Sequence, residues 1–243
     1  MCAHVDQQIH RFQKCIAGRS MLDNVLLVDT AMHKLAITDN PHAMALFFDF
    51  ATAFPSLAHS FIWACLAMMG LPPRFVRAIF RMYQNNIHII KLCHKTFPGP
   101  TVRNGVRQGC PLSMIIFCLC IQPFLLALEE LLQHEDTVGS YADDIAVILA
   151  DIRCAIHRLC LLFNTFEGLS NLVLNLAKCV SVPLCGSHRF ETAKHVFMQA
   201  TVGWELFRFS DVAEYLGFQL GPGGLVNQWV GVSKKASDTI VRW

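Results

Sequence analysis

The stretch Tyr141-Ala142-Asp143-Asp144 is followed at once by the apolar run Ile145-Ala146-Val147-Ile148-Leu149. Neighbouring side chains of a strand point to opposite faces, so two adjacent aspartates can converge on one site only at a hairpin turn. The apolar run predicts a strand that is buried on both faces. Adjacent carboxylates in such a context are costly unless a cation compensates them, and a bound metal ion is the natural candidate. Taken alone, the tetrad also fits a solvated Asp-Asp turn between two core strands.

A third acid strengthens the metal hypothesis. Asp49 stands within the apolar run Ala45-Leu46-Phe47-Phe48-Asp49-Phe50, which predicts a second buried strand. An isolated buried aspartate destabilises a fold, whereas a shared metal site would supply its partner. Oxygen ligands suit hard divalent ions such as Mg²⁺, which bind substrate phosphates, and paired ions can clamp the two oxygens of a phosphoryl transfer.

Further blocks follow one another along the chain. In chain order they are Gln13 with Gly18-Arg19-Ser20 and Asp23-Asn24; Phe48-Asp49-Phe50-Ala51-Thr52-Ala53-Phe54; Gly105-Val106-Arg107-Gln108-Gly109-Cys110-Pro111-Leu112-Ser113; Tyr141 to Asp144; Gly168-Leu169-Ser170 with Asn175 and Lys178; and Tyr215-Leu216-Gly217. This order resembles that of the reverse transcriptase domain of non-LTR (LINE-type) retrotransposons, and the last five blocks are similar to its motif A, motif B, motif C, motif D and primer grip. A single such block is weak evidence. Their shared order makes coincidence a poor explanation.

The resemblance implies roles for individual residues. The metal ligands would be Asp49, Asp143 and Asp144, holding two Mg²⁺ ions, with Mn²⁺ as the alternative. Lys178 would donate a proton to the departing pyrophosphate. The substrate-binding residues that the resemblance implies are Phe54, Gln108, Gly109, Arg19 and Tyr141. The partners would be an RNA template, a DNA primer and deoxynucleoside triphosphates.

Plainer explanations stand beside several of these roles. Phe54 would be the gate that excludes the 2′-hydroxyl of ribonucleotides, but it also fits a core aromatic behind motif A. Gln108 and Gly109 would lie along the nascent base pair, or form a turn before a helix. Lys178 also fits an ordinary surface lysine.

Composition limits the function less than the motifs do. The chain has 243 residues, of which 53% are hydrophobic and 16% charged. A net charge of +2 gives little long-range attraction for phosphates, which counts mildly against the resemblance or indicates missing basic parts. Arg74, Arg77 and Arg81 have helical spacing and fit either a template contact or a solvated helix face.

The eleven cysteines lack a Cys-x-x-Cys pair, and their odd number without a signal peptide predicts a reducing compartment, cytoplasm or nucleus.

The expected fold is α+β, a polymerase palm with a ferredoxin-like split βαβ sheet backed by helices and with partial fingers. Residues 1–40 would be a partial fingers segment, 41–225 the palm with motifs A to E, and 226–243 the start of a connection or thumb segment. The apolar stretch from Leu112 to Leu128 is nearly long enough to span a membrane, but Gln122 and Pro123 interrupt it. We expect a buried core helix there and no membrane partner, while the oligomeric state is left undetermined.

The leading hypothesis is an RNA-directed DNA polymerase domain. A catalytically inactive, truncated remnant or RNA-binding scaffold is the alternative, because the family's upstream basic block and thumb lie outside the sequence. A third possibility is a polymerase of a neighbouring class, such as an intron-encoded maturase. The motif B string favours the LINE group.

Overall fold

The computed structural model describes residues 9–201, 203–224, 233–234 and 237–238. The elements, in chain order, are α1 Met21–Ala36, β1 Met44–Phe48, α2 Ala53–Ser56, α3 His59–Met68, α4 Pro73–Tyr83, β2 Ile87–Leu92, β3 Lys95–Thr101, α5 Pro111–Leu131, β4 Thr137–Tyr141, β5 Asp144–Leu149, α6 Ile152–Ser170, β6 Val180–Pro183, a 3₁₀ turn Ser187–Arg189, α7 Phe190–Ala200, β7 Arg208–Phe209, β8 Ala213–Tyr215 and β9 Phe218–Leu220. The mixture confirms the predicted α+β class.

The central sheet has the strand order β4-β5-β1-β6-β7. Strand β1 pairs antiparallel with β5 on one side and β6 on the other, and β7 joins β6 in parallel. Every residue of β1 is buried, because Met44, Leu46 and Phe48 face one hydrophobic cluster while Ala45 and Phe47 face another. The run from Ile145 to Leu149 in β5, for which burial on both faces was predicted, is likewise buried and alternates between the same two clusters, so that prediction is confirmed.

Helices cover both faces of this sheet. Helices α3, α5, α6 and α7 contribute to the larger cluster, whereas α1 and the β8–β9 hairpin close the smaller one. Helix α1 begins at Ser20, whose hydroxyl accepts a hydrogen bond from the Asp23 N–H. It lies so close to β4 that a Cβ on Gly139 would come within 2.5 Å of Val28. Gly139 therefore sets the distance between α1 and the strand that leads into motif C.

Helix α5 is the one helix in the described part of the chain that is long and apolar enough to cross a membrane. Its most apolar window has a mean hydropathy of 2.2, and 61% of that window is buried inside the protein. Phe117, Phe124 and Leu125 are at most 1% exposed within the larger hydrophobic cluster. The prediction of a core helix is confirmed, and Pro123 lies inside that helix without ending it.

Residues 87–102 form a hairpin, as the sequence predicts, but its turn is elsewhere than predicted. Proline and glycine are typical turn residues, so the sequence predicts a turn at Phe97-Pro98-Gly99-Pro100. The chain instead reverses at Cys93 and His94, which have φ angles of 48° and 62°. The prolines are tolerated within β3 because this two-stranded sheet is largely exposed and its register shifts between Ile87 and Ile89.

Two features of the C-terminal part differ from the predictions. The sequence from Glu214 to Gln219 predicts one strand, but the structure has a hairpin there, because Leu216 and Gly217 adopt φ angles of 53° and 88° between β8 and β9. Helix α7 was not predicted at all. The proposed domain boundaries stay predictions, and the expected thumb segment at 226–243 lies almost wholly outside the described residues.

Candidate active site

The three predicted carboxylates meet at one end of the central sheet. Phe48 pairs with Ile145, so Asp49, the residue that follows β1, lies beside Asp144, the first residue of β5. Tyr141 pairs with Asp144, which leaves Ala142 and Asp143 as the two-residue turn between β4 and β5. The hairpin on which the sequence prediction depended is thus present.

The turn itself is held by Gln13, a fully buried residue of the N-terminal segment. Ala142 has a φ of 54°, which is unfavourable for a residue with a side chain. The Gln13 Oε1 accepts from the Ala142 N–H at 2.7 Å, and its Nε2 donates to the Ala142 carbonyl at 3.1 Å and to the Ser140 hydroxyl at 3.2 Å. Backbone bonds reinforce the contact, since the Lys14 N–H donates to the Ser140 carbonyl at 2.8 Å.

The carboxyl groups influence one another electrostatically. Partial removal from water and then the charges on Asp143 and Asp49 raise the pKa of Asp144 to about 6, although its side chain still reaches solvent. Burial, followed by the charge on Asp49, also raises the pKa of Asp143. Carboxylates that disfavour one another's ionisation in this way form a site that a cation would stabilise.

Asp49 is positioned from its other side by the motif D segment. The Asn175 N–H donates to the Asp49 carbonyl at 2.8 Å, and the Asp49 N–H donates to the Cys179 sulfur at 3.4 Å. The Lys178 Nζ lies 3.9 Å from the Asp49 Oδ2, so the structure brings the predicted proton donor to the carboxylates. That Oδ2 is shielded from solvent and accepts no hydrogen bond from the described residues.

Phe54, the last residue of the motif A block, lies on the short helix α2. Its ring is half-buried and stacks on Phe117 of α5, with ring centroids 4.5 Å apart and planes inclined by 19°. This position fits both interpretations. One face of the ring packs on Phe117, as a core aromatic would, and the side chain is still partly exposed, as a gate would be. The gate role stays a prediction.

Motif B lies on an exposed loop that enters α5. Gln108 and Gly109 are both exposed. Gly109 has a φ of 84°, and a Cβ placed there would meet no atom within 4 Å. The backbone conformation therefore explains the glycine, and the space beside it is open. The contact of Gln108 and Gly109 with a nascent base pair stays a prediction.

Arg19 and Tyr141 contact the N-terminal segment in this structure. The Arg19 guanidinium donates to the carbonyl oxygens of Ile9, His10 and Gln13 at 2.9, 2.5 and 2.6 Å. Arg19 thus stabilises the loop that carries Gln13, and its substrate-binding role is a prediction that these contacts do not supply. Cys15 lies beside Tyr141, and its charge followed by partial burial raises the pKa of the Tyr141 phenol.

Sequence reasoning placed Gln13 in a family block without giving it a role. The structure makes it the residue that holds the motif C turn, from 129 positions away. No local signal indicates this role, because Gln13 stands between Phe12 and Lys14 in a stretch of mixed polarity.

The donor set fits a hard divalent ion. All three acids offer carboxylate oxygens, the Asp49 Oδ2 is buried without a hydrogen bond, and burial with mutual repulsion raises the pKa of both motif C acids. Among the described residues, no three His, Cys, Asp or Glu side chains form a preassembled metal cage.

Comparison with known proteins assigns the family. The reverse transcriptase (RNA-dependent DNA polymerase) family matches residues 3–220, so this chain belongs to that family. Members use divalent metal ions. The chain is 27% identical over 213 residues to the Transposon TX1 uncharacterized 149 kDa protein of Xenopus laevis, and 30% identical over 145 residues to the retrovirus-related Pol polyprotein from type-2 retrotransposable element R2DM of Drosophila melanogaster. Both relatives come from non-LTR elements, which confirms the predicted class.

The alignments cover 84% and 57% of this chain but only 16% and 13% of those two relatives. Among solved structures, apo telomerase from Candida tropicalis superposes with a TM-score of 0.57 at 11% identity, covering 82% of this chain and 34% of the telomerase chain. Telomerase from Candida albicans, with a fragment of telomeric RNA, gives a TM-score of 0.51 at 12% identity, covering 83% and 33%. These similarities confirm the polymerase palm fold.

Proposed function

We propose that this chain catalyses RNA-directed DNA synthesis, extending a DNA primer with deoxynucleoside triphosphates on an RNA template. The observation that carries the proposal is the meeting of Asp49, Asp143 and Asp144 at one end of the sheet, with Lys178 3.9 Å from Asp49. This arrangement combines a cation site with a proton donor. Membership of the reverse transcriptase family supplies the reaction class.

Each group has a part in the reaction. The primer 3′-hydroxyl loses its proton to solvent as its oxygen bonds to the α-phosphorus of the nucleotide. The bond from that phosphorus to the oxygen shared with the β-phosphate breaks, which releases pyrophosphate. Asp49, Asp143 and Asp144 would hold two Mg²⁺ ions. When bound, these ions supply charge that stabilises the attacking and leaving oxygens. Lys178 protonates the departing pyrophosphate oxygen.

The remaining predicted residues line the substrate. Phe54 would lie under the sugar and exclude a 2′-hydroxyl, while Gln108 and the open space beside Gly109 would accommodate the nascent base pair. Gln13 keeps Asp143 in place by fixing the adjacent peptide groups. Positioning and charge stabilisation account for most of the rate enhancement in reactions of this type.

The cell compartment belongs to the same proposal. The ten cysteines that the structure describes are all free thiols. This supports a reducing, intracellular setting, in the cytoplasm or nucleus, where RNA templates are present.

Primer extension tests the proposed function. Purified chain is given an RNA template annealed to a labelled DNA primer, the four deoxynucleotides and Mg²⁺, with EDTA, template-free and Asp143→Asn reactions in parallel. Template-directed extension that requires metal and disappears in the variant is the expected result. Folded protein that binds RNA but extends no primer would contradict the proposal and support the alternative, an inactive RNA-binding remnant.

A further inference from the structure

The charges of this chain are segregated along its sequence. Residues 50–128 contain seven of the twenty Lys and Arg residues and none of the eighteen Asp and Glu residues. The net charge of +2 therefore combines a segment of charge +7 with a remainder of charge −5. A near-neutral total conceals a strongly basic region, and this removes the objection that the composition raised against nucleic-acid binding.

All seven basic residues of this segment are exposed, and none has a carboxylate within 4 Å among the described residues. They are Arg74, Arg77, Arg81, Lys91, Lys95, Arg103 and Arg107. Elsewhere among the described residues, four Lys and Arg side chains lie within 4 Å of a carboxylate: Arg11, Arg153, Lys178 and Arg189. The segment thus presents uncompensated positive charge to solvent.

Hydrogen bonds of Asn86 connect helix α4 with the Arg107 loop of motif B. Arg74, Arg77 and Arg81 lie on the exposed face of α4, at spacings that align side chains along a helix. Asn86 links the end of this helix to the hairpin, because its Nδ2 donates to the Met82 carbonyl at 2.8 Å. Its Oδ1 accepts from the Arg107 guanidinium of motif B.

Within the described part of the chain, the β2–β3 hairpin lacks the cover that such a structure normally needs. Isolated two-stranded sheets are marginally stable in water. Nearly every residue of both strands is exposed, and Ile89 and Leu92 are 70% and 64% exposed. A surface that combines apolar side chains with unpaired cations suits single-stranded nucleic acid, whose bases contact apolar groups while its phosphates contact Lys and Arg.

A groove leads from this hairpin toward motif B. It has a volume of about 620 Å³, and its lining includes Pro55, Asn86, His88, Asn104, Arg107 and Gln108. The lining offers amide and imidazole groups for hydrogen bonds to bases or ribose. Because Pro55 adjoins Phe54 and Gln108 belongs to motif B, the groove opens beside the proposed nucleotide site.

We propose that α4, the β2–β3 hairpin and the Arg107 loop form a binding surface for single-stranded RNA, the basic face, with the groove holding the strand next to motif B. This inference rests on the proposed function for the identity of the strand as template. The physical basis of RNA binding does not depend on polymerase activity, because phosphates bind to the basic side chains and not to the catalytic aspartates. The negative remainder of the chain would restrict RNA to this face.

The test is the salt dependence of binding to a fluorescein-labelled, unstructured RNA of about 20 nucleotides, measured by anisotropy from 50 to 200 mM salt. Arg74→Gln/Arg77→Gln/Arg81→Gln is compared with the control triple Lys34→Gln/Lys194→Gln/Arg208→Gln. The control removes the same charge from exposed positions outside the segment. Lys91→Gln/Lys95→Gln tests the hairpin separately, should the helix triple fold poorly.

Each arginine that neutralises a phosphate should contribute about 0.7 to the slope of log K against log salt, so the slope of the helix triple should be smaller by about 2. Its binding in low salt should be at least about tenfold weaker, and the control should stay within about twofold of the wild type. Equal weakening in the two triples, unchanged binding in the helix triple and the hairpin double, or no RNA binding by folded wild-type chain would each overturn the proposal. Primer extension distinguishes the RNA-binding proposal from the polymerase proposal. If the wild type extends primers but the two triples bind RNA equally well, only the basic face is overturned. If the helix triple binds RNA selectively more weakly but the wild type extends no primer, only the polymerase proposal is overturned.

Discussion

The side chain of Gln13 binds both backbone groups of Ala142, accepting from its N–H at 2.7 Å and donating to its carbonyl at 3.1 Å. The amide side chain makes the two backbone hydrogen bonds that a neighbouring strand would otherwise make, at a turn where Ala142 has a φ of 54°. The residue that follows is Asp143. The orientation of a proposed catalytic carboxylate therefore depends on a residue at the start of the described chain.

Gln13→Met should retain the side-chain volume and remove these hydrogen bonds. Buried peptide groups without partners cost about 1–3 kcal/mol, so the melting temperature should fall by several degrees. The Mg²⁺ concentration for half-maximal extension should rise, because Asp143 loses its fixed position. Both quantities are measured on the same preparation.

Thr201→Val is the matched control for Gln13→Met. It removes a buried hydrogen bond, from the Thr201 hydroxyl to the Phe197 carbonyl at 2.8 Å, from a helix that contributes no active-site residue. It should lower stability and leave the Mg²⁺ requirement unchanged. A similar Mg²⁺ requirement in both variants would show that Gln13 contributes stability alone.

Lys178→Met should slow single-turnover incorporation by about 100-fold if the ammonium group transfers a proton. Stability should change little, since the side chain is 70% exposed. Lys178→Arg keeps the charge but cannot release a proton at neutral pH, so it should be equally slow. Near-normal rates in the arginine variant would assign Lys178 a purely electrostatic role, and Lys194→Met serves as the control for removal of a surface lysine.

Asp144→Asn should stabilise the metal-free fold at pH 7.5. The pKa of Asp144 is raised to about 6, well above the ordinary value near 3.8, so the folded state binds this proton more tightly than the unfolded state does. Ionisation therefore lowers stability as pH rises from about 4 to 6, and the cost persists above that range. After allowance for solvent screening the gain in the variant is on the order of 1 kcal/mol.

Thermal unfolding in EDTA at pH 7.5 and pH 4 checks this sign. The stabilisation should be present at the higher pH and much smaller at the lower, where the folded-state carboxyl is protonated and the unfolded-state carboxyl is about half ionised. Added Mg²⁺ should raise the melting temperature of the wild type more than that of the variant. A variant that is less stable at pH 7.5 would contradict the view that the carboxylates repel one another.

Phe54→Val should admit ribonucleotides. Removing the ring opens space under the sugar, and contacts of this size discriminate by roughly 10- to 200-fold. The absence of the stack on Phe117 should also lower stability. The ratio of incorporation rates for deoxy- and ribonucleotides is the measurement, with Phe190→Val as a control that disrupts an aromatic pair with Phe209. An unchanged ratio would assign Phe54 to core packing.

The sequence predicted the features that depend on local patterns. Apolar runs beside Asp49 and Asp144 predicted buried strands, and both strands are present. Because antiparallel strands with acids at their ends place those acids together, the meeting of the carboxylates followed from the same patterns.

Features that depend on tertiary contacts were missed. The turn of the β2–β3 hairpin was assigned to a Pro-Gly stretch, since Cys93 and His94 have no turn chemistry to indicate their positive φ angles. The role of Gln13 could not be predicted because its partner is distant in sequence. The basic face was obscured because a net charge averages over regions of opposite sign.

Single-nucleotide incorporation by wild type, Asp49→Asn, Asp143→Asn, Asp144→Asn and the surface control Glu191→Gln tests the central claim most directly. If the three aspartates form one metal-dependent polymerase site, each of the three variants should lose at least about 100-fold in rate, while the control retains wild-type rate. Wild-type incorporation by any one of the three aspartate variants, or its absence from folded wild-type chain, would contradict the account.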